Sequence, residues 1–463
     1  MRASFLIGFL TLLLHGEALP QFTETRLFAS DGVRGDGFGA SVSISGNYAI
    51  IGASFKNSAQ GAAYVFKRSP AGWVQQSILT ATDGVAGDGF GITASLAGDR
   101  AIIGATHVNG GTGAVYIFAL TQGVWKEEAR LTASDGQSRE FLGSSVAISG
   151  DYALAGARTA NGSAGAVYVF MRTAGGWLEQ TKLVASDAAP FDVFGWYSSL
   201  SGDFAIIGAY GKDNRKGAAY VFERTQDTWI ERVKLTAPDG VAGDQFGVVN
   251  ISGKYAIVGA PTHNSRGAAY LYEQTTSGWR LRTKLTSTDP NAGDFGIAVA
   301  VSETHAIVGA DFTDILAGAA FVFQPAGSRW NETAKLTASD RQIANLFGNQ
   351  VSISGNAILV GTPNGIVNGV VSGVVYVYEN SSTSVKAWDQ LSQLPSEILL
   401  EQNYPNPFNP STQISFALPQ AQKVKPAGAH EVIFAAGQLA SGVYLYRLQA
   451  GEWVETKRMV LIR

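Results

Sequence analysis

The residues able to do chemistry in this chain cluster in short polar stretches. Residues 31–39 read DGVRGDGFG and contain Arg34-Gly35-Asp36, a tripeptide that some extracellular proteins present to cell-surface receptors. The same mixture of Gly and Asp suits a cation loop, where carboxylates wrap a metal, or a phosphate loop at the start of a helix. His107 and His263 stand in similar loop positions and form a candidate metal pair. Asp213, Asp311 and Asp314 are the carboxylates a hydrolase could use, provided they converge to within about 10 Å. YGKDNRK, at 210–216, gathers Tyr210, Lys212, Asp213, Asn214 and Arg215 into the most promising binding patch. There is no cysteine, which excludes disulfides, thiolate zinc sites and cysteine nucleophiles. The five histidines are scattered and set up no Ser-His-Asp order.

What positions these residues is a repeat of about 52 residues. The Asp that opens the quoted stretch recurs at Asp31, Asp83, Asp135, Asp187, Asp239, Asp289 and Asp340. Phe-Gly follows at 38–39, 90–91, 194–195, 246–247, 295–296 and 347–348, with Phe141-Leu142-Gly143 in the third copy. Next come runs such as AIIGA (49–53) and GAAYVF (61–66), then a Trp at 73, 125, 177, 229, 279 and 330. Each unit holds four short runs of Val, Ile, Tyr, Phe and Trp between Gly, Asp, Asn and Ser, which is the pattern of strands and turns. In the second unit the strands are expected at 91–96, 100–105, 114–119 and 125–133. Four antiparallel strands repeated seven times predict an all-β fold, a seven-bladed β-propeller, in which closing the ring hides the sheet edges. Residues 22–30 match the fourth strand of later units. Residues 23–29 are therefore expected to pair with 374–378 and complete the last blade. The recurring aromatic rings should fill the space between blades, at about 1.5–3 kcal/mol per buried ring.

The combination FG…(I/V)GA…GA(A/V)YVF resembles the FG-GAP repeat of integrin α-subunit propellers and many bacterial surface proteins, and the resemblance covers 22–379. It implies a propeller whose metal-binding members hold calcium in a D-x-D-x-D-G loop between strands one and two. Here those connections are turns such as SGNY (45–48) and SGDY (149–152), too short and too neutral for calcium, so no cofactor or metal is expected. In other units the Arg34-Gly35-Asp36 slot holds Ala-Gly-Asp, as at 86–88, 242–244 and 292–294. The stretch therefore reads as a blade-to-blade connector in which Gly serves the turn and Asp bonds backbone amides.

The ends carry other signals. Residues 1–18 combine Arg2, an apolar run at 3–14 and small residues at Gly16 and Ala18, as a signal peptide does. No later run is long enough to span a membrane. Net charge is −3 with 15% charged residues, which argues against nucleic-acid binding. Residues 380–395 read as a linker. Residues 396–463 resemble the C-terminal sorting domain of the bacterial type IX secretion system. The resemblance rests on Tyr404-Pro405-Asn406-Pro407-Phe408-Asn409-Pro410 and on the Ser-Gly-Val-Tyr motif with Gly442 and Tyr444. It implies a small β-sandwich-like domain and export to the outer surface of a Gram-negative-type bacterium, or release from it. About twenty residues usual in the family are missing around 422–428.

Strand one of each unit offers Ser, Thr, Ala, Asn and apolar groups to the central channel, with no Asp, Glu, His, Lys or Arg for acid–base work. The expected function is thus a non-catalytic, monomeric binding or adhesion scaffold for a protein or glycan. Its candidate contacts are Arg34, Lys56, Asn57, His107, Arg158, Tyr210, Lys212, Asp213, Asn214, Arg215, His263, Arg266, Asp311 and Asp314, on the connectors and the loops between strands two and three. A secreted polysaccharide or peptide hydrolase and a structural surface-layer protein are the alternatives.

Overall fold

The computed structural model describes residues 22–70, 72–327, 329–380, 399–400, 411–418, 428–435, 441–450 and 453–461. Phe22–Glu379 form one compact unit. It contains seven four-stranded antiparallel sheets in a propeller ring. Blade 1 runs outward through Ser41–Ser45, Tyr48–Ala53, Ala62–Ser69 and Gly72–Leu79. Blades 2 to 6 repeat this order over 93–131, 142–183, 198–235, 248–285 and 298–336. In the second unit the strands are Thr93–Ala97, Arg100–Ala105, Ala114–Thr121 and Val124–Leu131, within about two residues of expectation.

Blade 7 closes the ring. Its inner strands are Gln350–Ser354, Ala357–Thr362 and Val374–Asn380, and its outermost strand is Phe22–Leu27 from the other end of the unit. The closing strand repeats a clamp used by the ordinary blades. The Glu127 carboxylate in blade 2 accepts from Thr82 N (3.0 Å) and Oγ1 (3.1 Å). Glu179, Glu231 and Glu332 grip Ser134, Ser186 and Thr288 in the same way. In blade 7, Glu24 does this to Ser339, at 3.1 and 2.5 Å. Blade 5 lacks the clamp on both sides, having Leu281 for the acid and Pro238, which has no N–H, on the connector.

Each strand class has its own chemistry. Second and third strands are buried on both faces because a blade lies against each, and their Ala, Val, Ile, Tyr and Phe follow from that. Fourth strands alternate, as a half-solvated strand should. The inner strands carry Ser for a reason absent from the sequence expectation. Instead of only lining a channel, Ser43 Oγ accepts from Leu96 N (3.0 Å) and Ser352 Oγ from Ile44 N (3.2 Å) of the next blade. The aromatic rings meet as expected. Phe38 packs edge-on against Tyr64 at 5.3 Å and Phe66 at 6.1 Å, and the set recurs around the ring. Several of the repeated Trp rings reach across a blade, as Trp125 does to Tyr48 and Trp229 to Tyr152.

The glycines that define the repeat lie where blade backbones touch. A Cβ on Gly52 would run into the carbonyl of Gly91 of the next blade, and one on Gly361 into that of Gly39. Gly61, at φ +88°, forms a parallel bridge to Phe90. Side chains fill the joints elsewhere, and at these points only glycine allows the approach.

The other unit is described by itself. Leu399–Leu400, Ser411–Leu418 and Gly428–Ala435 form a three-stranded sheet, and Gly442–Ala450 pairs antiparallel with Trp453–Leu461. Gly442 and Tyr444 lie on that hairpin, opposite Leu461 and Met459. The segment expected to be a signal peptide at 1–18, most of the expected linker, and Tyr404–Pro410 fall outside the described residues.

Candidate functional site

Connectors from strand four to strand one and loops from strand two to strand three share one face, and each loop holds the next connector. Gly87 N donates to Ser58 O (3.1 Å), Gly89 N to Ala59 O (2.8 Å) and Phe90 N to Gln60 O (3.0 Å). The loops were expected to be where the units diverge. Their side chains do, but six share one backbone. The turns at 56–59, 108–111, 160–163, 212–215, 263–265 and 313–316 place consecutive residues in the left-handed region. The first left-handed residue is always Asn or Asp: Asn57, Asn109, Asn161, Asp213, Asn264 and Asp314, with φ of 49–53°. These are the non-glycine residues that tolerate that region best.

This geometry reassigns much of the expected binding set. Lys56, 6% exposed, points inward, and its ammonium meets Asp31 O (3.0 Å), Asp31 Oδ2 (3.2 Å) and Asp36 Oδ2 (3.3 Å). Lys212 does the same with Asp187 and Asp192 (2.9 Å to Oδ2). His263 Nδ1 lies 2.7 Å from Asp244 Oδ2, and its Nε2 is 2.8 Å from Lys284 Nζ. These three side chains tie loops to connectors and are not offered to a ligand. A cleft of about 240 Å³ beside His263 is lined by Arg266, Lys284 and Phe295 among others. Its cations are taken: Lys284 bonds Asp239 at 2.6 Å, and Arg266 donates to the Asp289 carbonyl.

The repeated connector Asp is also structural. Tyr64 Oη donates to Asp31 (2.7 Å), and the pair recurs as Tyr116–Asp83, Tyr168–Asp135, Tyr220–Asp187, Tyr270–Asp239 and Tyr376–Asp340. A fourth-strand cation completes most copies, as Lys234 does for Asp187 at 2.7 Å. Burial pushes the Asp187 carboxyl up, but Lys234 and Tyr220 outweigh it and hold the group at about 2. Burial, then the Asp83 bond, takes the Tyr116 phenol up to about 12. Asp36 is 2% exposed and accepts from Val33 N (2.9 Å). An Arg-Gly-Asp ligand must present that carboxylate, and here Arg34 and Gly35 are exposed while Asp36 is buried.

The hydrolase carboxylates are engaged separately. Asp213 faces Lys234 (3.8 Å), Asp314 bonds Lys335 (2.9 Å) and Arg341, and Asp311 accepts from Asn349 Nδ2 (2.9 Å). His107 is not paired with His263, and packs instead on Phe141 at 5.5 Å. Among the described residues no three His, Asp or Glu come together as a metal cluster.

One constellation has no such explanation. Arg158 directly follows strand two of blade 3, Tyr152–Ala157, and Trp196 lies just before the inner strand of blade 4, Ser198–Ser201. The guanidinium lies 4.4 Å from the Trp196 ring centre and 5.0 Å from that of Phe141. Trp196 in turn meets Tyr210 edge-on at 5.1 Å. The result is a continuous series, His107–Phe141–Arg158–Trp196–Tyr210, across three blades at the loop-side mouth of the channel. Arg158 is half-buried, which lowers its proton affinity, and no acid pairs with it among the described residues. Tyr197, the next residue inward, has its phenol raised to about 12 by burial and by the fields of Tyr210 and Asp311. Asp311 is 3% exposed; burial raises its carboxyl, and its Oδ1 has no partner. Sequence reasoning named Arg158, Tyr210, His107 and Asp311 but missed Phe141, Trp196 and Tyr197. The available signal was FGWYSSL at 194–200, the one strand-one copy with two large aromatics after Phe-Gly.

The family model described as the FG-GAP repeat matches seven times, at 22–66, 73–118, 125–170, 177–222, 229–272, 279–323 and 330–378. No curated protein matches the sequence. Similar solved structures include Sqt1 of Saccharomyces cerevisiae, 10% identical with a TM-score of 0.43, over 87% of this chain and 97% of that one. A candidate 6-phosphogluconolactonase of Bacteroides fragilis is 13% identical with a TM-score of 0.47, over 65% and 85%.

Proposed function

The chain belongs to the FG-GAP repeat family, and from that premise we propose that it is a non-catalytic binding propeller whose ligand seats at the loop-side mouth of the channel. One observation carries this reading. Arg158 is held half-buried between Phe141 and Trp196 with no acid paired to it among the described residues, while the buried loop cations Lys56 and Lys212 have carboxylate partners. A desolvated, unpaired guanidinium costs stability, and a ligand that supplies the missing acceptors recovers that cost. The aromatic flanks hold the fork in place, so little entropy is lost on binding.

Export belongs to the same proposal. The leader at 1–18 and the sorting-type segment at 396–463 would carry the propeller to the outer surface of a Gram-negative-type cell or beyond. Fractionation of cells expressing the chain with and without 396–463 tests this; an unchanged distribution argues against a sorting role. For binding, the chain from residue 22 is applied to a glycan array and to extracellular protein fractions. The double variant Arg158→Ala/Tyr210→Ala should lose the captured partner, whereas Leu178→Ala/Ile230→Ala on the exposed outer strands should keep it. The reverse pattern would put the binding face elsewhere.

A further inference from the structure

We infer that the mouth between blades 3 and 4 binds the carboxylate side chain of a protein partner, with Arg158 as the receiving fork and Trp196 and Tyr210 as its walls. This rests on the binding reading above and names the chemistry of the ligand.

Three observations lead to it. First, a guanidinium fixed by stacking presents its N–H fork edge-on, which matches a planar carboxylate in a bidentate pair. Second, among the described residues one cation at the mouth is half-buried, since Arg215, whose charge also reaches Tyr210, is exposed. Arg158 is the half-buried cation of the mouth, and Asp311 with its unpartnered Oδ1 also bears on Tyr197 there. A monoanion is therefore matched, whereas a dianionic phosphate would need a second buried cation. Third, the loop face carries exposed apolar groups that suit side chains better than sugars. Phe191, on the connector into blade 4, is 75% exposed and lies against Gly211, next to Tyr210, while Phe55, Phe312, Ile315, Val33 and Ile343, 54% to 76% exposed, stand on the same face at blades 6, 7 and 1. Exposed aliphatic and aromatic groups on the face of one half-buried charged contact are the composition of a protein interface.

The test uses calorimetric titration of the chain from residue 22 with three probes: the blocked peptides acetyl-Val-Glu-Val-amide and acetyl-Val-Gln-Val-amide, and trigalacturonate. The Glu peptide should bind roughly ten-fold tighter than the Gln peptide, the scale of one charge-assisted pair. In Arg158→Gln that preference should vanish. In Arg158→Lys, which keeps the charge and loses the fork, it should fall part of the way. Far-UV circular dichroism and melting of both variants show that the blades are intact. Equal binding of the two peptides, no saturable binding of either, or a preference that survives Arg158→Gln would overturn the inference. Tighter, Arg158-dependent binding of trigalacturonate would replace the protein partner with an acidic glycan. If neither peptide binds while Arg158→Ala/Tyr210→Ala still loses its captured partner, the carboxylate assignment fails and the binding reading stands. If that capture is unaffected, the binding reading itself fails.

Discussion

Removing residues 22–30 should cost the propeller much of its stability, although they look like a dispensable terminus. Leu27 is 2% exposed and packs in the cluster that holds Phe38, Tyr64 and Val375. Truncating such a side chain costs about 2–5 kcal/mol. Glu24 accepts from Ser339 N and Oγ, and from Tyr378 Oη at 3.0 Å. Charge-assisted bonds of this kind are worth about 1.5–3 kcal/mol when buried, and this partly exposed set is taken at about 2 in total. Arg26–Asp340, at 2.9 Å and part-exposed, adds less than about 1 kcal/mol. The backbone pairing to Val374–Asn380 comes on top, and its loss leaves an open edge that templates aggregation. The sum is at least about 5 kcal/mol, against a usual reserve of about 5–15. At about 2–4 °C per kcal/mol, the chain starting at Asp31 should melt about 10 °C or more below the chain starting at Phe22. Leu27→Ala and Glu24→Ala should account for part of that drop, in that order. Coincident melting curves for the two chains, read by circular dichroism, would refute the closure argument.

Three other outcomes follow from the same geometry. Gly208→Ala drives a Cβ into the Gly247 carbonyl, whereas Gly98→Ala meets nothing within 4 Å; urea titration should show a loss above about 3 kcal/mol for the first and about 1 for the second. Acid should unfold the ring through its connectors and loops. Asp187, Asp239 and Asp314 sit near 2 in the fold, below the value of about 3.9 for a free Asp. The unfolded chain therefore takes up these protons first, so their stabilisation is complete above about pH 4 and lost as pH falls through about 2. Lys234→Met should lower the melting temperature at pH 7 and lower it much less at pH 2. Finally, Pro238→Ser with Leu281→Glu restores the missing clamp of blade 5; thermal melts should show a gain of about 1 kcal/mol for the pair and near neutrality for each change alone.

The ring, its seven blades and its closing strand were legible because the physical demands repeat. Glycine at each backbone contact, an aromatic at each inter-blade gap and Asp at each connector leave a period that needs no tertiary knowledge. The site was half legible. Lys56, Lys212 and His263 looked like surface contacts, since sequence shows residue type and loop position but not the direction of a side chain. Their connector acids lie 20, 20 and 19 residues back, a spacing that only the folded loop turns into a contact. Trp196 escaped because the search was for titratable groups, and its importance comes from what it stacks on. The inner-strand serines were assigned to a channel wall because their hydrogen bonds run between blades.

The shared left-handed turn has a practical consequence. Six loops present variable side chains on one backbone, anchored at one end by Asn or Asp and tied through carbonyls to the next connector. Residues as different as Ala59, Arg215 and Leu316 occupy the third left-handed position without altering the path. Recognition can therefore be rewritten loop by loop, as in an antibody framework whose hypervariable segments change while the fold does not. A randomised library confined to the two positions after each anchoring Asn or Asp would sample new specificities without disturbing the ring.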